Sequence, residues 1–467
     1  MMPTTASQLC AAVNGTLYGD GALLVDTLST DSRSIAAGAW FVPLTGERFD
    51  GHDYIPMALE KGASGCFCAR LPQELRPDKT YILVENTKAA LRDLASWYRG
   101  QFHIPVVQIT GSMGKTTLKE LLAGVLSQRY CTLKTPGNLN GDIGAPLTLL
   151  SLMPEHEAAV IETGMDESGQ IRWLGQAVRP DVAIITNISD VHLSHFGSRK
   201  DILKAKAEIF ENLRPGGLAV LNGDDELLNT LQLDCETAFG GFGGFPGVSY
   251  KAQVEHFEGF QGLDSLRCTV VTEKDRYPLS IPSPASHMAF LATLAILTAE
   301  RLGLTREEII RGIASYTPAD NRLRVERLPG GRIMINDSYN ANPASVQADL
   351  RILWRHKDGK RIAFLGDMSE LGYAEADGHS AVGAAVGKLG IEVLLAVGPR
   401  SKQWMVPAAR EAGCPDVRWY ESRDAARADL LDLFTPGSAL LLKASHFFGR
   451  FDLMADYLRE YPFEGYV

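Results

Sequence analysis

The sequence predicts an α/β protein with three domains, and three observations support this fold class. Its 467 residues are enough for about three domains, because a domain averages roughly 150 residues. Short β-branched runs alternate with amphipathic segments, which is typical of βα units and largely parallel sheets. A hydrophobic fraction of 45% and a charged fraction of 22% are ordinary for a globular protein.

The first domain, residues 1–101, is predicted to be a smaller α/β unit. We expect strands at 40–42 and 81–84. Apolar residues at helical spacing predict helices near 54–59 and 91–98. Pro105 precedes a new strand, so we place the boundary near residue 102.

The middle domain, residues 102–318, is predicted to contain a mostly parallel sheet. Its strands are expected at 106–110, 158–162, 182–187 and 217–222. The glycine-rich segment 238–247 is predicted to be a loop. We expect a hairpin beside the main sheet, then a helix, then a linker, at 269–281, 287–302 and 317–320.

The last domain, residues 319–467, repeats the alternation of strands and helices. We expect its strands at 333–336, 362–366, 393–397 and 439–442. Helical segments lie between them, which is the pattern of a doubly wound, Rossmann-like domain.

The charge balance argues against one class of partner. With 46 basic and 56 acidic residues the net charge is −10, so we expect no nucleic acid on a broad basic face. No apolar run reaches the roughly 18 residues that span a bilayer, and no secretory signal is visible. We therefore expect a cytoplasmic protein without membrane insertion. Seven cysteines without a CxxC pair indicate reduced structural thiols.

The strongest chemical signal is a glycine-bearing turn between a strand and a helix, Gly111-Ser112-Met113-Gly114-Lys115-Thr116-Thr117. Backbone N–H groups in such a turn face phosphates, and the helix N-terminus adds partial positive charge. Lys115 would reach the outer phosphates of a nucleotide, and the Thr116 hydroxyl would ligate Mg²⁺. Only Ser112 and Met113 separate the two glycines, fewer residues than in the common phosphate loop. The loop alone does not distinguish a kinase, a nucleotide switch and a ligase.

Two neighbouring segments carry possible metal ligands. Glu162 ends a predicted strand, where it could hold Mg²⁺ or face solvent. His192 follows another strand and could bind a metal, act as a base or be structural. A zinc pair of His192 and His195 lacks a visible third ligand.

Other polar residues near the loop remain ambiguous by pattern alone. Lys204 and Lys206 share a helix, and their spacing favours a solvated face. Asn138 and Asn140 are turn residues by default, although their amides could donate to an anionic substrate.

Taken together, these motifs resemble those of the Mur ligases, ATP-dependent enzymes that add amino acids to the UDP-linked peptidoglycan precursor. The resemblance covers essentially the whole chain. Asn138, Asn140, Glu162 and His192 fall where the family has its substrate loop and magnesium ligands. Lys206 matches the lysine that the family often carbamylates.

The outer domains carry further motifs of the same family. Residues 31–33 and 46–52 resemble its uridine-nucleotide-binding segment. This implies substrate contacts from Ser32, Arg33, Asp50 and His52. Residues 337–343 and 366–372 resemble the family member that adds a dipeptide. The Asp-Asn-Pro-Arg motif of the diaminopimelate-adding member is absent.

The resemblance implies an ATP-dependent amide ligase. It would join D-Ala-D-Ala to the terminal carboxylate of UDP-MurNAc-tripeptide through an acyl phosphate, releasing ADP and phosphate. Thr116 and Glu162 would hold one Mg²⁺, and His192 with a carbamylated Lys206 would hold a second. We expect a monomer whose last domain swings about the linker near residue 318. It would then close onto the nucleotide with Arg322, Asp337 and Asn340.

Three alternatives remain open. The chain could be the preceding Mur ligase, which adds a single amino acid. It could resemble folylpolyglutamate synthase, which shares the ATP domain but lacks a UDP-binding first domain. It could also be a nucleotide-binding module without ligase chemistry.

Overall fold

The computed structural model describes residues 1–46, 49–189, 196–445 and 449–463. These residues form sheets of two, five, nine and six strands with helices between the strands, which confirms the predicted α/β class. No helix within these ranges is long and apolar enough to cross a membrane. Residues 84–105 contain no strand and separate the five-stranded sheet from the nine-stranded sheet along the chain. Residues 282–323 separate the nine-stranded sheet from the six-stranded sheet in the same way. The domain boundaries near 102 and 318 stay predictions.

The first part of the chain forms a small mixed sheet. Its elements are β1 (Thr4–Thr5), α1 (Ala6–Ala12), β2 (Thr16–Tyr18), β3 (Leu24–Val25), β4 (Leu28–Ser29), β5 (Trp40–Phe41), α2 (Ile55–Glu60), β6 (Gly65–Cys68), β7 (Thr80–Leu83) and α3 (Thr87–Arg99). The five-stranded sheet has the order β2-β7-β6-β5-β4. The Asn86 side chain caps α3 by accepting from the Ala89 N–H, as N-cap residues do.

The middle part forms the nine-stranded sheet. Its elements are β8 (Val106–Thr110), α4 (Lys115–Leu126), β9 (Thr132–Lys134), α5 (Gly144–Leu150), β10 (Ala158–Glu162), α6 (Gln170–Val178), β11 (Val182–Ile185), α7 (Arg199–Ala207), β12 (Leu218–Asn222), β13 (Glu236–Gly241), β14 (Tyr250–Gln261), β15 (Ser265–Thr272), β16 (Arg276–Ile281), α8 (His287–Arg301) and α9 (Arg306–Ala314). The strand order is β16-β15-β14-β13-β12-β11-β8-β10-β9. β8 therefore lies between β10 and β11, and both pair with it in parallel.

One prediction for this sheet was wrong. The segment 238–247 does not begin as a loop, because Glu236–Gly241 is β13 and pairs with β12 and β14. A Cβ on Gly240 would lie 2.5 Å from the Thr293 Oγ1, and one on Gly241 would lie 2.4 Å from Asp224 Oδ2. The glycines therefore reflect close approach by neighbouring side chains, which a strand can require as well as a turn can.

The predicted hairpin is present, but it belongs to the main sheet. β15 pairs with β16 in antiparallel fashion, and β14, which the sequence did not indicate, joins them to β13. Of the residues of β14 only Ala252 and Val254 are buried, so the strand lacks a strong apolar alternation.

The last part forms a six-stranded sheet. Its elements are β17 (Arg324–Leu328), β18 (Arg332–Asn336), α10 (Pro343–Trp354), β19 (Arg361–Gly366), α11 (Glu375–Lys388), β20 (Val393–Val397), α12 (Val406–Glu411), β21 (Asp416–Tyr420), α13 (Arg427–Leu433), β22 (Ala439–Lys443) and α14 (Phe451–Glu460). The order is β17-β18-β22-β19-β20-β21, and only β17 runs antiparallel to its neighbour. The four predicted strands form, and β17 and β21 extend the sheet at its edges.

Candidate active site

The glycine-bearing turn that is predicted to bind phosphates, residues 111–117, is called the phosphate loop below. It connects β8 to the first turn of α4. The backbone φ angle is 149° at Gly111 and 79° at Gly114. Residues other than glycine rarely adopt such positive φ angles. A Cβ on Gly111 would lie 1.8 Å from the Thr186 Oγ1, so the loop also needs glycine there for space. Lys115, Thr116 and Thr117 open α4, and the first N–H groups of a helix have no intrahelical acceptor. Such N–H groups are suited to binding an anion.

Lys115 lies across this loop. Its Nζ donates to the Gly111 carbonyl at 2.8 Å and to the Ser112 carbonyl at 3.4 Å. Burial lowers the pKa of the Lys115 ammonium, and the carboxylate of Glu162 opposes that shift. The ammonium is therefore bound by two carbonyls of the loop, and a bound phosphate would compete with these carbonyls for it.

Glu162 lies at the carboxyl end of β10, beside β8. Its side chain is 1% exposed, so the interpretation that it faces solvent is wrong. The Oε1 atom accepts from the Thr116 hydroxyl at 3.0 Å and from Asn140 Nδ2 at 2.8 Å. The Oε2 atom has no hydrogen-bond partner within the described part of the chain, and it lies 3.8 Å from Lys119 Nζ.

These donors suit Mg²⁺. A hydroxyl and a carboxylate with a spare oxygen are hard ligands, and Mg²⁺ typically completes its shell with water and substrate phosphates. Within the described ranges no cluster of three or more His, Cys, Asp or Glu side chains could hold a metal by itself. His192 and His195 lie outside the described residues.

The two lysines of α7 differ sharply in exposure. The Lys204 side chain is 79% exposed, as its spacing suggested. Lys206 is 2% exposed, so the solvated face predicted from spacing alone is wrong for that residue. Burial lowers the pKa of Lys206 well below its usual range, the positive charge of Lys115 lowers it further, and Asp166 opposes both effects. The buried amine is thus biased toward its neutral form.

The last domain reaches the phosphate loop and the loop that follows β9. The Asn138 Nδ2 donates to the Tyr339 hydroxyl at 2.6 Å. The guanidinium of Arg322 lies 3.7 Å from the centre of the Tyr339 ring, a cation–π distance. Asn342 Nδ2 lies 3.4 Å from the sulfur of Met113. Residues predicted to bind substrate and nucleotide therefore meet across the boundary, through a tyrosine that the sequence did not single out.

Asp337 and Asn340 lie at the carboxyl end of β18, and both already have partners within their own domain. Asp337 Oδ1 accepts from the Leu323 N–H at 3.0 Å, and Oδ2 pairs with Lys443. Lys443 is 1% exposed and also contacts Asp349 at 2.8 Å. Asn340 Oδ1 accepts from its neighbour's N–H at 2.9 Å and from a serine hydroxyl on the strand-end segment after β22.

The four predicted contacts of the first domain divide into two kinds. Asp50 Oδ1 accepts from both the N–H and the Nδ1 of His52, and His52 Nε2 accepts from the Ala69 N–H at 2.9 Å. Asp50 and His52 thus fix their own loop. Ser32 is buried, whereas the Arg33 side chain is 83% exposed beside Asp31. Arg33 is therefore the accessible cation of this group.

Replacing Tyr339 by phenylalanine tests the contact between domains. The change removes the oxygen that accepts from Asn138 and keeps the ring beneath Arg322. Because the resemblance implies that Asn138 contacts a UDP-linked substrate, we expect KM for that substrate to rise about 2- to 10-fold, the equivalent of one hydrogen bond. Tyr339→Ala also removes the stack and should raise KM for ATP as well.

Steady-state kinetics with each substrate varied in turn would measure this separation. Tyr373→Phe is the matched control, because Tyr373 is 86% exposed. Equal kinetics for Tyr339→Phe, Tyr339→Ala and the unchanged protein would exclude a role for this contact.

Family models cover most of the chain. The model described as Mur ligase family, catalytic domain, matches residues 24–99. The Mur ligase middle domain matches residues 109–299, and the Mur ligase, glutamate ligase domain, matches residues 321–446.

Individual relatives agree with these models. The chain is 36% identical over 403 residues to the UDP-N-acetylmuramoyl-tripeptide–D-alanyl-D-alanine ligase of Escherichia coli, covering 86% of this chain and 87% of that protein. A crystal structure of MurF from Acinetobacter baumannii matches with a TM-score of 0.88 at 30% identity, covering 98% of this chain and 100% of that one. MurF ligase from Thermotoga maritima in complex with ADP matches with a TM-score of 0.80 at 26% identity, covering 93% and 97%.

Proposed function

The chain belongs to the Mur ligase family, and we propose that it joins D-alanyl-D-alanine to UDP-N-acetylmuramoyl-tripeptide with the use of ATP. The observation that carries this proposal is the likeness, over most of the chain, to relatives named for that reaction. The phosphate loop and the buried side chains of Glu162 and Lys206 support an active ligase.

The reaction is amide formation in two steps. The terminal carboxylate of the tripeptide attacks the γ-phosphorus of ATP, so a carbonyl–O–P linkage forms and ADP leaves. The amine of D-Ala-D-Ala then attacks the acyl carbonyl, phosphate leaves, and the amine gives up a proton. Because a carboxylate is a poor acylating agent, the transferred phosphoryl group supplies the leaving group.

The protein's share of the chemistry is to place groups and balance charge. We propose that the loop from Gly111 to Thr117 and the ammonium of Lys115 bind the phosphates. Thr116 and Glu162 would hold one Mg²⁺, which neutralises phosphate charge when bound. The Oε2 atom of Glu162, which has no hydrogen-bond partner among the described residues, supports this assignment.

A second Mg²⁺ position is proposed at Lys206 and His192. A neutral lysine amine can add CO₂ through a new N–C bond and lose a proton, which gives a carbamate whose oxygens are metal ligands. The burial and lowered pKa of Lys206 support this modification, because the neutral amine is the reactive form. His192 enters on the family resemblance alone, since it lies outside the described residues.

The remaining contacts are assigned by substrate. Arg322, Asp337 and Asn340 are proposed to bind the nucleotide. Arg322 packs on the ring of Tyr339, whose hydroxyl accepts from Asn138, and this contact supports the proposal for Arg322. The UDP-linked substrate is proposed to contact Ser32, Arg33, Asp50, His52, Asn138 and Asn140. A cytoplasmic location and a monomeric state stay predictions.

The direct test is phosphate release by the purified protein. We expect release to require ATP, the tripeptide precursor and D-Ala-D-Ala together, and we expect the amide product by mass spectrometry. Replacing the dipeptide with free lysine or diaminopimelate should abolish release, whereas activity with either would indicate the preceding ligase. Activity with a folate substrate would favour a folylpolyglutamate synthase. ADP binding without substrate-dependent release would indicate a nucleotide-binding module.

A further inference from the structure

Asn187 joins the phosphate loop to the neighbouring strand through three hydrogen bonds. It follows β11, which pairs directly with β8. Its side-chain Oδ1 accepts from the Met113 N–H at 3.0 Å, and its Nδ2 donates to the Met113 carbonyl at 3.2 Å. Its backbone carbonyl accepts from the Ser112 N–H at 2.9 Å. Asn187 thus pairs with the backbone N–H and carbonyl of Met113 and with the N–H of Ser112.

The residues beside Asn187 extend this connection. The Thr186 hydroxyl donates to the Met113 carbonyl at 2.6 Å, and the Ser189 N–H donates to the Ser112 hydroxyl at 3.0 Å. Among the described residues, only the side chain of Asn187 offers Met113 both a donor and an acceptor. A carboxamide is the shortest side-chain group that can pair with a peptide in this way.

The pairing decides which amides are left for phosphate. Because the N–H groups of Ser112 and Met113 point at Asn187, they do not point into the anion-binding end of the loop. That end is left to the first N–H groups of α4, which have no intrahelical acceptor. The short spacing between Gly111 and Gly114 is then accounted for, since the two intervening residues form the anchor of the loop.

We propose that Asn187 is a positioning residue for nucleotide binding, which acts by holding Ser112 and Met113 so that Lys115 and the start of α4 face the phosphates. The inference rests on the proposed function only in that the loop binds ATP. Asn187 itself bonds to the backbone of Ser112 and Met113. Its effect passes through the backbone of Met113.

The test replaces Asn187 by alanine and by aspartate and measures Mg²⁺–ADP binding to the full chain by calorimetry. Two lost hydrogen bonds should weaken ADP binding and raise KM for ATP by roughly 10- to 100-fold. Aspartate keeps the size and the acceptor but replaces the donor with a negative charge near the phosphates. We therefore expect Asn187→Asp to bind ADP no better than Asn187→Ala.

Controls separate positioning from folding. Asn212→Ala removes a comparable bond, from Nδ2 to the Arg172 carbonyl, outside the loop, and should leave ADP binding unchanged. In folded Asn187 variants the KM values for the tripeptide precursor and for D-Ala-D-Ala should also be unchanged. If alanine prevents folding, Asn187→Ser carries the same test, because serine is uncharged and too short to pair with both the N–H and the carbonyl of Met113.

Two outcomes would overturn the proposal. The first is ADP binding within about twofold of the unchanged protein in a folded Asn187 variant, which is less than one hydrogen bond. The second is weaker ADP binding accompanied by an equal rise in the KM values for the tripeptide precursor and for D-Ala-D-Ala, the sign of a general structural effect. ADP binding needs neither acceptor substrate, so an unchanged protein that binds ADP but forms no amide would refute the proposed function and leave this inference standing.

Discussion

Glutamine in place of Glu162 should lower kcat for ligation by about a thousand-fold. The substitution keeps the size of the side chain and one acceptor oxygen for Thr116 and Asn140. It removes the negative charge that we assign to Mg²⁺ binding, and charge stabilisation by a metal contributes several kcal/mol to such a reaction. Rapid measurement of phosphate release, at saturating substrates, would determine the loss. Raising the Mg²⁺ concentration should restore part of the activity.

Glu120→Gln is the matched control for this experiment. The Glu120 carboxylate lies 3.1 Å from Lys119 Nζ, and Glu162 Oε2 lies 3.8 Å from the same atom. Both changes therefore remove one negative charge beside Lys119. Only Glu162→Gln also removes the negative charge beside the Thr116 hydroxyl. Similar losses in the two variants would mean that Lys119, and not a metal, explains the effect. Near-normal turnover in Glu162→Gln would remove Glu162 from the site.

The phosphate loop and Glu162 were predictable because local signals specify them. A buried strand, two glycines and an amphipathic helix define the loop within a short stretch of sequence. The parallel arrangement of strands then brings Glu162 beside it, since carboxyl ends of parallel strands share one edge. In the structure Glu162 ends β10, which pairs with β8, the strand that leads into the phosphate loop, as that rule requires.

Other features depend on contacts between distant segments. Lys206 looks solvated by spacing, and its burial depends on the packing of α7. The pairing of Asn187 with Met113 joins residues 74 positions apart. Tyr339 meets Asn138 across 201 positions. A hydropathy pattern does not reveal contacts between distant segments. The functional role predicted for Lys206 therefore came from the family resemblance and not from periodicity.

Loss of the buried amine in Lys206→Ala should lower kcat by about a thousand-fold, and short carboxylic acids should rescue part of it. Alanine leaves a cavity where the side chain lay, and formate or acetate can place a carboxylate there in the role of the carbamate. Lys204→Ala is the matched control, because that lysine shares α7 but is 79% exposed. We expect the control to keep normal activity with or without added acid.

The rescue distinguishes a carbamate from a buried cation. If Lys206 acted as an ammonium, a carboxylic acid would introduce the opposite charge and should not restore turnover, whereas a small amine should. The pKa of Lys206, lowered by burial and by Lys115, favours the neutral amine that adds CO₂, so ¹³C-labelled bicarbonate should give a carbamate signal in the unchanged protein. That signal should be missing in Lys206→Ala and present in Lys204→Ala. Rescue by amines, or no labelled carbamate in an active enzyme, would refute the modification and leave the amide-forming reaction in place.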